Sequence, residues 1–162
     1  MFPFEEKVLA GIGRSLLAKD QTIAIAESVT TGLIQAAIGS TTDAMKFYQG
    51  GITVYNIAQK FKHLGVEPIH ADKCDAVSAK VAAEMAIGVS ILFGSHWGIG
   101  ITGFASPVPE SDNKLFAYYA IAFNQTIISD RMIRPKTGPT EEIQALYVNT
   151  VLADLRKQIA SQ

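Results

Sequence analysis

The chain has 162 residues, 48% hydrophobic and 18% charged, a length and balance that predict one compact soluble domain over 1–162 with a substantial core. With 14 basic against 15 acidic residues, no surplus charge is available to neutralise a string of phosphates, so a nucleic-acid partner is not expected. The single cysteine, Cys74, excludes an internal disulfide and suits a reducing, cytoplasmic setting.

The start, Met1-Phe2-Pro3-Phe4-Glu5-Glu6-Lys7, lacks the basic-then-apolar order of a signal peptide. Phe4 to Lys19 carries Val8, Leu9, Ile12, Leu16 and Leu17 on one helical stripe. Thr22 to Ala26 is a short apolar run that predicts a buried strand, and a helix is expected to begin within Glu27–Gly32 and run through Ile38. Gly50-Gly51 introduces a second strand, Ile52 to Tyr55; Ala58 to Leu64 predicts a short helix closed by Gly65, with Pro68 beyond it. Ser78 can cap a longer helix from Ala79 to Phe93 that Gly94 ends, and Gly98 to Thr102 predicts a strand. Met85 to Phe104 is apolar enough to suggest a membrane span, but Gly94-Ser95-His96 divides it into a buried helix and a buried strand. Leu115–Phe123 and Thr126–Ile133 predict an antiparallel hairpin turning at Asn124-Gln125, and Pro139-Thr140-Glu141-Glu142 opens a last helix to Ile159. Strands separated by helices, with one hairpin, predict an α/β fold: a three-layer α/β/α sandwich on a mixed sheet.

Chemistry is expected where strands run out into helix N-termini, because ligands of open α/β sheets gather there. Ser28, Thr30, Thr31 and Gly32 occupy one such junction. Ser28 can be a nucleophile served by nearby backbone N–H groups, although helix capping by Ser28 or Thr30 is the plainer reading of the spacing. The patterns Gly-x-Ser-x-Gly and Ser-x-x-Lys are absent. None of His63, His70 and His96 lies near Ser28 in sequence, and no pair has metal-ligand spacing, so no metal is expected. Lys60 is a candidate base if it is desolvated, and a surface lysine on its short helix otherwise. Tyr55 could polarise the same site or simply cover the end of its strand. A second strand-end loop, Thr102-Gly103-Phe104-Ala105-Ser106-Pro107, offers backbone at Gly103 for close approach to a ligand.

Together these junctions resemble the carboxy-terminal domain of the CinA competence/damage-inducible family, represented by the stand-alone amidohydrolases called PncC. The family's Ala-Glu-Ser-Cys-Thr-Gly-Gly is matched by Ala26 to Gly32, and its Gly-Gly-x-x-x-Tyr-Ser-Asn-x-x-Lys by Gly50 to Lys60. Its Gly-Ala-Val-Ser is matched by Asp75 to Ser78, and its Thr-Gly-Ile-Ala-Gly-Pro by Thr102 to Pro107. The resemblance implies the CinA C-terminal-like fold and hydrolysis of the carboxamide of nicotinamide mononucleotide (NMN), a step of pyridine-nucleotide salvage that yields nicotinic acid mononucleotide and ammonia. It implies Ser28 as nucleophile, Lys60 as base and Tyr55 assisting, with Thr30, Thr31, Gly32, Thr102, Gly103 and Ala105 around the substrate. It implies no cofactor and a homodimer that acts on a small-molecule amide or pyridine nucleotide rather than on a membrane.

The departures fall mainly on ligand binding. Thr31, Ile57 and Ser106 replace a glycine, an asparagine and a glycine of the pattern. Val108-Pro109-Glu110-Ser111-Asp112 replaces its glycine-rich run, Lys114 to Tyr118 keeps only the lysine of Lys-Pro-Val-Gly-Thr, and Gly138-Pro139-Thr140 stands where it has Gly-Asp-Arg. Gln144 replaces a helical arginine. Phosphate recognition wants glycine amides or arginine forks, so NMN binding is expected to be weak. Two alternatives follow: a catalytically inactive CinA-like paralogue serving binding or assembly, or an amidase for a smaller, uncharged amide.

Overall fold

The computed structural model describes residues 4–162; Met1 to Pro3, part of the start read above for a leader, lie outside the described residues. In chain order the elements are α1 (Glu6–Ala18), β1 (Ile23–Glu27), α2 (Leu33–Gly39), β2 (Tyr48–Thr53), α3 (Ile57–Leu64), α4 (Pro68–Lys73), α5 (Ala79–Phe93), β3 (Trp97–Phe104), β4 (Phe116–Phe123), β5 (Thr126–Ile133) and α6 (Thr140–Ser161). The strands form one mixed sheet in the order β2-β1-β3-β4-β5. β2, β1 and β3 are parallel, and β4 and β5 continue antiparallel.

Side-chain alternation divides the core into the two outer layers of the expected sandwich. Ile23 and Ile25 of β1, Trp97, Ile99 and Ile101 of β3, and Tyr119 and Ile121 of β4 pack with α1, α2 and α6. On the opposite face the strands present small residues: Ala24 and Ala26 of β1, and Ala120 and Ala122 of β4. Gly98 and Gly100 of β3 bring the α5 backbone close, since a Cβ at Gly98 would sit 2.1 Å from the Ala86 carbonyl oxygen and one at Gly100 2.3 Å from that of Ala82. α5 is therefore seated on the sheet almost backbone to backbone, with α3 and α4 beside it.

Several expectations about boundaries change. The second strand runs over Tyr48–Thr53 rather than Ile52–Tyr55. Gly50 and Gly51 lie inside it, because Gly51 passes so close to β1 that a Cβ would meet the Ile25 carbonyl oxygen at 2.6 Å. Pro68 starts α4 instead of merely following α3, with Glu67 accepting from the Ile69 and His70 amides as its cap. Ser78 caps α5 through the Val81 amide, Gly94 ends it at φ 62°, and Asn124-Gln125 turns the hairpin with both residues left-handed. Met85 to Phe104 is the later part of α5 followed by β3, and among the described residues no helix is long and apolar enough to cross a membrane.

From β1 the chain passes to β2 on one side and then crosses through α3, α4 and α5 to β3 on the other. This reversal is a topological switch point, and it opens a crevice beyond the carboxyl ends of β1, β2 and β3.

Candidate active site

A cavity of about 740 Å³ occupies that crevice. Ser28 and Val29 line it from the end of β1, Tyr55 to Ala58 and Lys60 from beyond β2, Asp75 to Val77 from the loop before α5, and Thr102 to Ser106 from the end of β3. Glu110, Thr140 and Gln144 close the remaining side.

Lys60 is the fourth residue of α3 and faces inward. The Asn56 side chain accepts from the Gln59 amide at 3.0 Å and fixes where that helix begins. Only 2% of Lys60 is exposed, with Nζ 3.0 Å from Ser28 Oγ and 3.0 Å from the Val54 carbonyl oxygen. Burial lowers its pKa from 10.5 to about 8, because desolvation penalises the ammonium form. A neutral amine in this place accepts the Ser28 hydroxyl proton while still donating to Val54. Ser28 is itself 7% exposed and lines the cavity. A hydroxyl, an amine whose proton is loosened by burial, and an open cavity are the parts of serine nucleophilic chemistry with a lysine base.

The other expected residues fall into different places. Tyr55 lines the cavity, but 68% of it is exposed and no hydrogen bond joins its hydroxyl to Ser28 or Lys60. Thr102, Gly103 and Ala105 all line the cavity. The Thr102 hydroxyl donates to the Ala76 carbonyl at 2.7 Å, tying the end of β3 to the loop before α5. Thr30, Thr31 and Gly32 are not among its lining residues. Thr30 is fully buried with its hydroxyl turned onto Glu27 at 2.5 Å, Thr31 is left-handed at φ 52°, and Gly32 is left-handed at φ 101°. Neither Ser28 nor Thr30 caps α2, whose N-cap is Gly32.

Two residues that sequence reasoning did not single out complete the surroundings. Glu27 ends β1 with no exposed surface, and its carboxylate accepts from the Gly32, Ile34 and Gln35 amides as well as from Thr30. Burial first, and the nearby Glu27 second, push the Tyr48 phenol up to about 12. Gln144 donates to the Val29 carbonyl at 2.8 Å, so its side chain is committed to the Ser28 turn. The visible sign of Glu27 is a charge closing an otherwise apolar strand, and that of Gln144 is its departure from the pattern. Asp75 and Glu110 contribute carboxylates to the lining, and no lining residue is an arginine. Among the described residues no group of three or more His, Cys, Asp and Glu side chains is placed to hold a metal ion.

A mixed five-stranded α/β/α sandwich with a serine–lysine pair in its switch-point crevice defines the class of protein. The chain belongs to the CinA C-terminal domain family, whose model matches residues 5–159. It is 31% identical over 158 residues to a CinA-like protein of Rippkaea orientalis, covering 96% of this chain and 38% of that protein. It is 36% identical over 159 residues to a CinA-like protein of Prochlorococcus marinus, covering 96% and 37%. The chain thus spans less than two fifths of the length of these curated relatives. Among solved structures, a competence-damaged protein (CinA) superfamily protein from Klebsiella pneumoniae superposes with a TM-score of 0.89 at 27% identity, covering 97% of this chain and 98% of its own. One from Escherichia coli superposes with a TM-score of 0.86 at 29% identity, covering 93% and 87%.

Proposed function

We propose that the chain is an amidohydrolase that cleaves a carboxamide through Ser28 and Lys60. The observation that carries the reading is the buried Lys60 Nζ 3.0 Å from Ser28 Oγ in an open cavity. Neutral Lys60 takes the Ser28 proton as Oγ bonds to the amide carbon. The resulting oxyanion is held by backbone N–H groups of the turn after Ser28, with further N–H groups near Gly103. Of the amides from Val29 to Gln35, those from Thr31 onward are bonded within the segment, whereas those of Val29 and Thr30 have no acceptor among the described residues. They are the turn donors free to serve. Protonated Lys60 then hands its proton to the leaving nitrogen, the C–N bond breaks, and ammonia departs from a Ser28 ester. Water attacks the ester while Lys60 accepts its proton. The ester C–O bond breaks, that proton returns to Ser28 Oγ, and a carboxylic acid leaves. Tyr55, exposed at the mouth, would meet the substrate from solvent rather than through the pair.

NMN is the first substrate to try, as the family resemblance implies, and slow turnover is expected. Asp75 and Glu110 line the cavity, no arginine does, and Gln144 is occupied by Val29. Losing a charged hydrogen bond to a phosphate costs roughly 1.5–3 kcal/mol, about ten- to a hundredfold in affinity for each one lost. The same lining favours, as a second reading, a smaller carboxamide without phosphate. The test is ammonia release from NMN, its dephosphorylated riboside and nicotinamide, by wild type and Ser28→Ala. Release that Ser28→Ala abolishes supports the proposal, with the preferred amide deciding between the two substrates. Release that survives Ser28→Ala removes the serine mechanism.

A further inference from the structure

Glu27 stands out because a fully buried carboxylate accepting four hydrogen bonds is expensive to place in a core, and it is the residue immediately before Ser28. Its bonds reach the amides that an N-cap side chain ordinarily serves, Ile34 and Gln35 in the first turn of α2, but from a residue that is not the N-cap. α2 has only seven residues and no side-chain cap at Gly32. Glu27 supplies the cap from the preceding strand, with Oε2 accepting from the Gly32 and Ile34 amides at 3.1 Å each and Oε1 from the Gln35 amide at 2.8 Å. The intervening residues must therefore loop around the carboxylate. The Thr31 and Leu33 amides close that loop internally, onto the Ser28 and Thr30 carbonyl oxygens. Thr30 adds its hydroxyl to Oε2, which leaves none of its side chain exposed. At the other end, the Val54 amide bonds to the Glu27 carbonyl oxygen, and Val54 is the residue whose own carbonyl holds Lys60. One residue thus links the turn bearing the nucleophile to the segment holding its base.

We propose that Glu27 and Thr30 form a buried clamp that positions the Ser28 turn, so that the Val29 and Thr30 amides stay free and Ser28 Oγ stays in reach of Lys60. Thr30, expected from the sequence to face the substrate, acts from beneath the turn as a positioning residue. Without the clamp, the α2 amides would seek other acceptors, with the Ser28 turn the nearest backbone available. The inference rests on the proposed Ser28–Lys60 chemistry, and its test separates the two.

The readout is the rate at which an alkyl fluorophosphonate labels Ser28, followed by mass spectrometry. Ser28 Oγ bonds to phosphorus, the P–F bond breaks, fluoride leaves and the hydroxyl proton passes to Lys60, so no natural substrate is needed. Thr30→Val keeps the shape but deletes the donor, and should slow labelling about tenfold or more, whereas Thr30→Ser should restore most of the rate. The apparent pKa of labelling should stay near 8 in both, because the burial of Lys60 is untouched; a site that had merely loosened would drift towards 10.5. In Glu27→Gln, hydrogen exchange at the Gly32, Ile34 and Gln35 amides should quicken at least about tenfold along with slower labelling. Folded Thr30→Val that labels at the wild-type rate overturns the clamp and leaves the Ser28–Lys60 reading standing. Folded wild type that does not label at Ser28 overturns both, and is recognised because the unmutated protein is inert.

Discussion

Replacing Lys60 with methionine should make the protein more stable at neutral pH while removing its proposed activity. The folded pKa of Lys60, about 8, lies below the unfolded 10.5, so the fold disfavours the ammonium form. At roughly 1.36 kcal/mol for each tenfold change, that displacement costs about 3 kcal/mol. The cost is present in full below pH 8 and disappears as pH rises from 8 to 10.5. Methionine carries no charge and fills similar space, but it forfeits the bonds to Val54 and Ser28, worth about 1 kcal/mol each. Lys60→Met should therefore gain about 1 kcal/mol at pH 7, or roughly 2–4 °C in Tm. Near pH 10.5 the sign should reverse, with the variant about 2 kcal/mol less stable than wild type. Urea unfolding of both proteins across this range measures the difference directly. A variant less stable at pH 7, or a difference that does not change with pH, would refute the reasoning.

Three other outcomes follow from the same structure. If Lys60 is the base, kcat/KM for any amide substrate should climb about tenfold per pH unit in the acidic range and level off near pH 8, which a pH–rate profile checks; a plateau already present at pH 6 would exclude it. Gly98→Ala should cost about 3 kcal/mol or more, measured by urea unfolding, since its methyl would lie 2.1 Å from the Ala86 carbonyl oxygen and push α5 off the sheet. Asp154→Asn should cost about 2 kcal/mol at neutral pH, because Tyr119, Ser129 and Gln158 all donate to a carboxylate that is 8% exposed. Burial pushes the Asp154 pKa up, yet these donors and Arg131 hold it below the usual value, so the cost should persist above about pH 4 and fade as acid titrates the folded carboxylate.

What the sequence made legible was whatever is encoded locally. The apolar strand ahead of Ser28, the Ser78 and Gly94 caps of α5, and the Asn124-Gln125 hairpin all occupy the places their patterns indicate. The fate of Lys60 was not local. An amphipathic helix carrying Lys60, Lys62 and His63 reads as solvent-facing, and only packing against Ser28, 32 residues earlier, turns one of its lysines inward. Glycine misled the reading of β2, where Gly50 and Gly51 lie within the strand rather than ahead of it, Gly50 against the Phe93 ring of α5 and Gly51 against the Ile25 carbonyl of β1. Thr30 and Glu27 escaped for a related reason: a carboxylate that caps a helix from five to eight residues upstream has no sequence signature. The resemblance to the family supplied the Ser28–Lys60 pairing; the structure supplied its distance, its burial and its carboxylate-lined cavity.

The central claim is that burial arms Lys60 to activate Ser28. Its most direct measurement is fluorophosphonate labelling of wild type and Lys60→Met across pH 6 to 10, with the adduct located by peptide mass spectrometry. The account predicts a single adduct on Ser28, formed at a rate that rises with pH to a midpoint near 8 and collapses in Lys60→Met. Labelling of folded Lys60→Met at the wild-type rate, or a midpoint near 10.5, would contradict it.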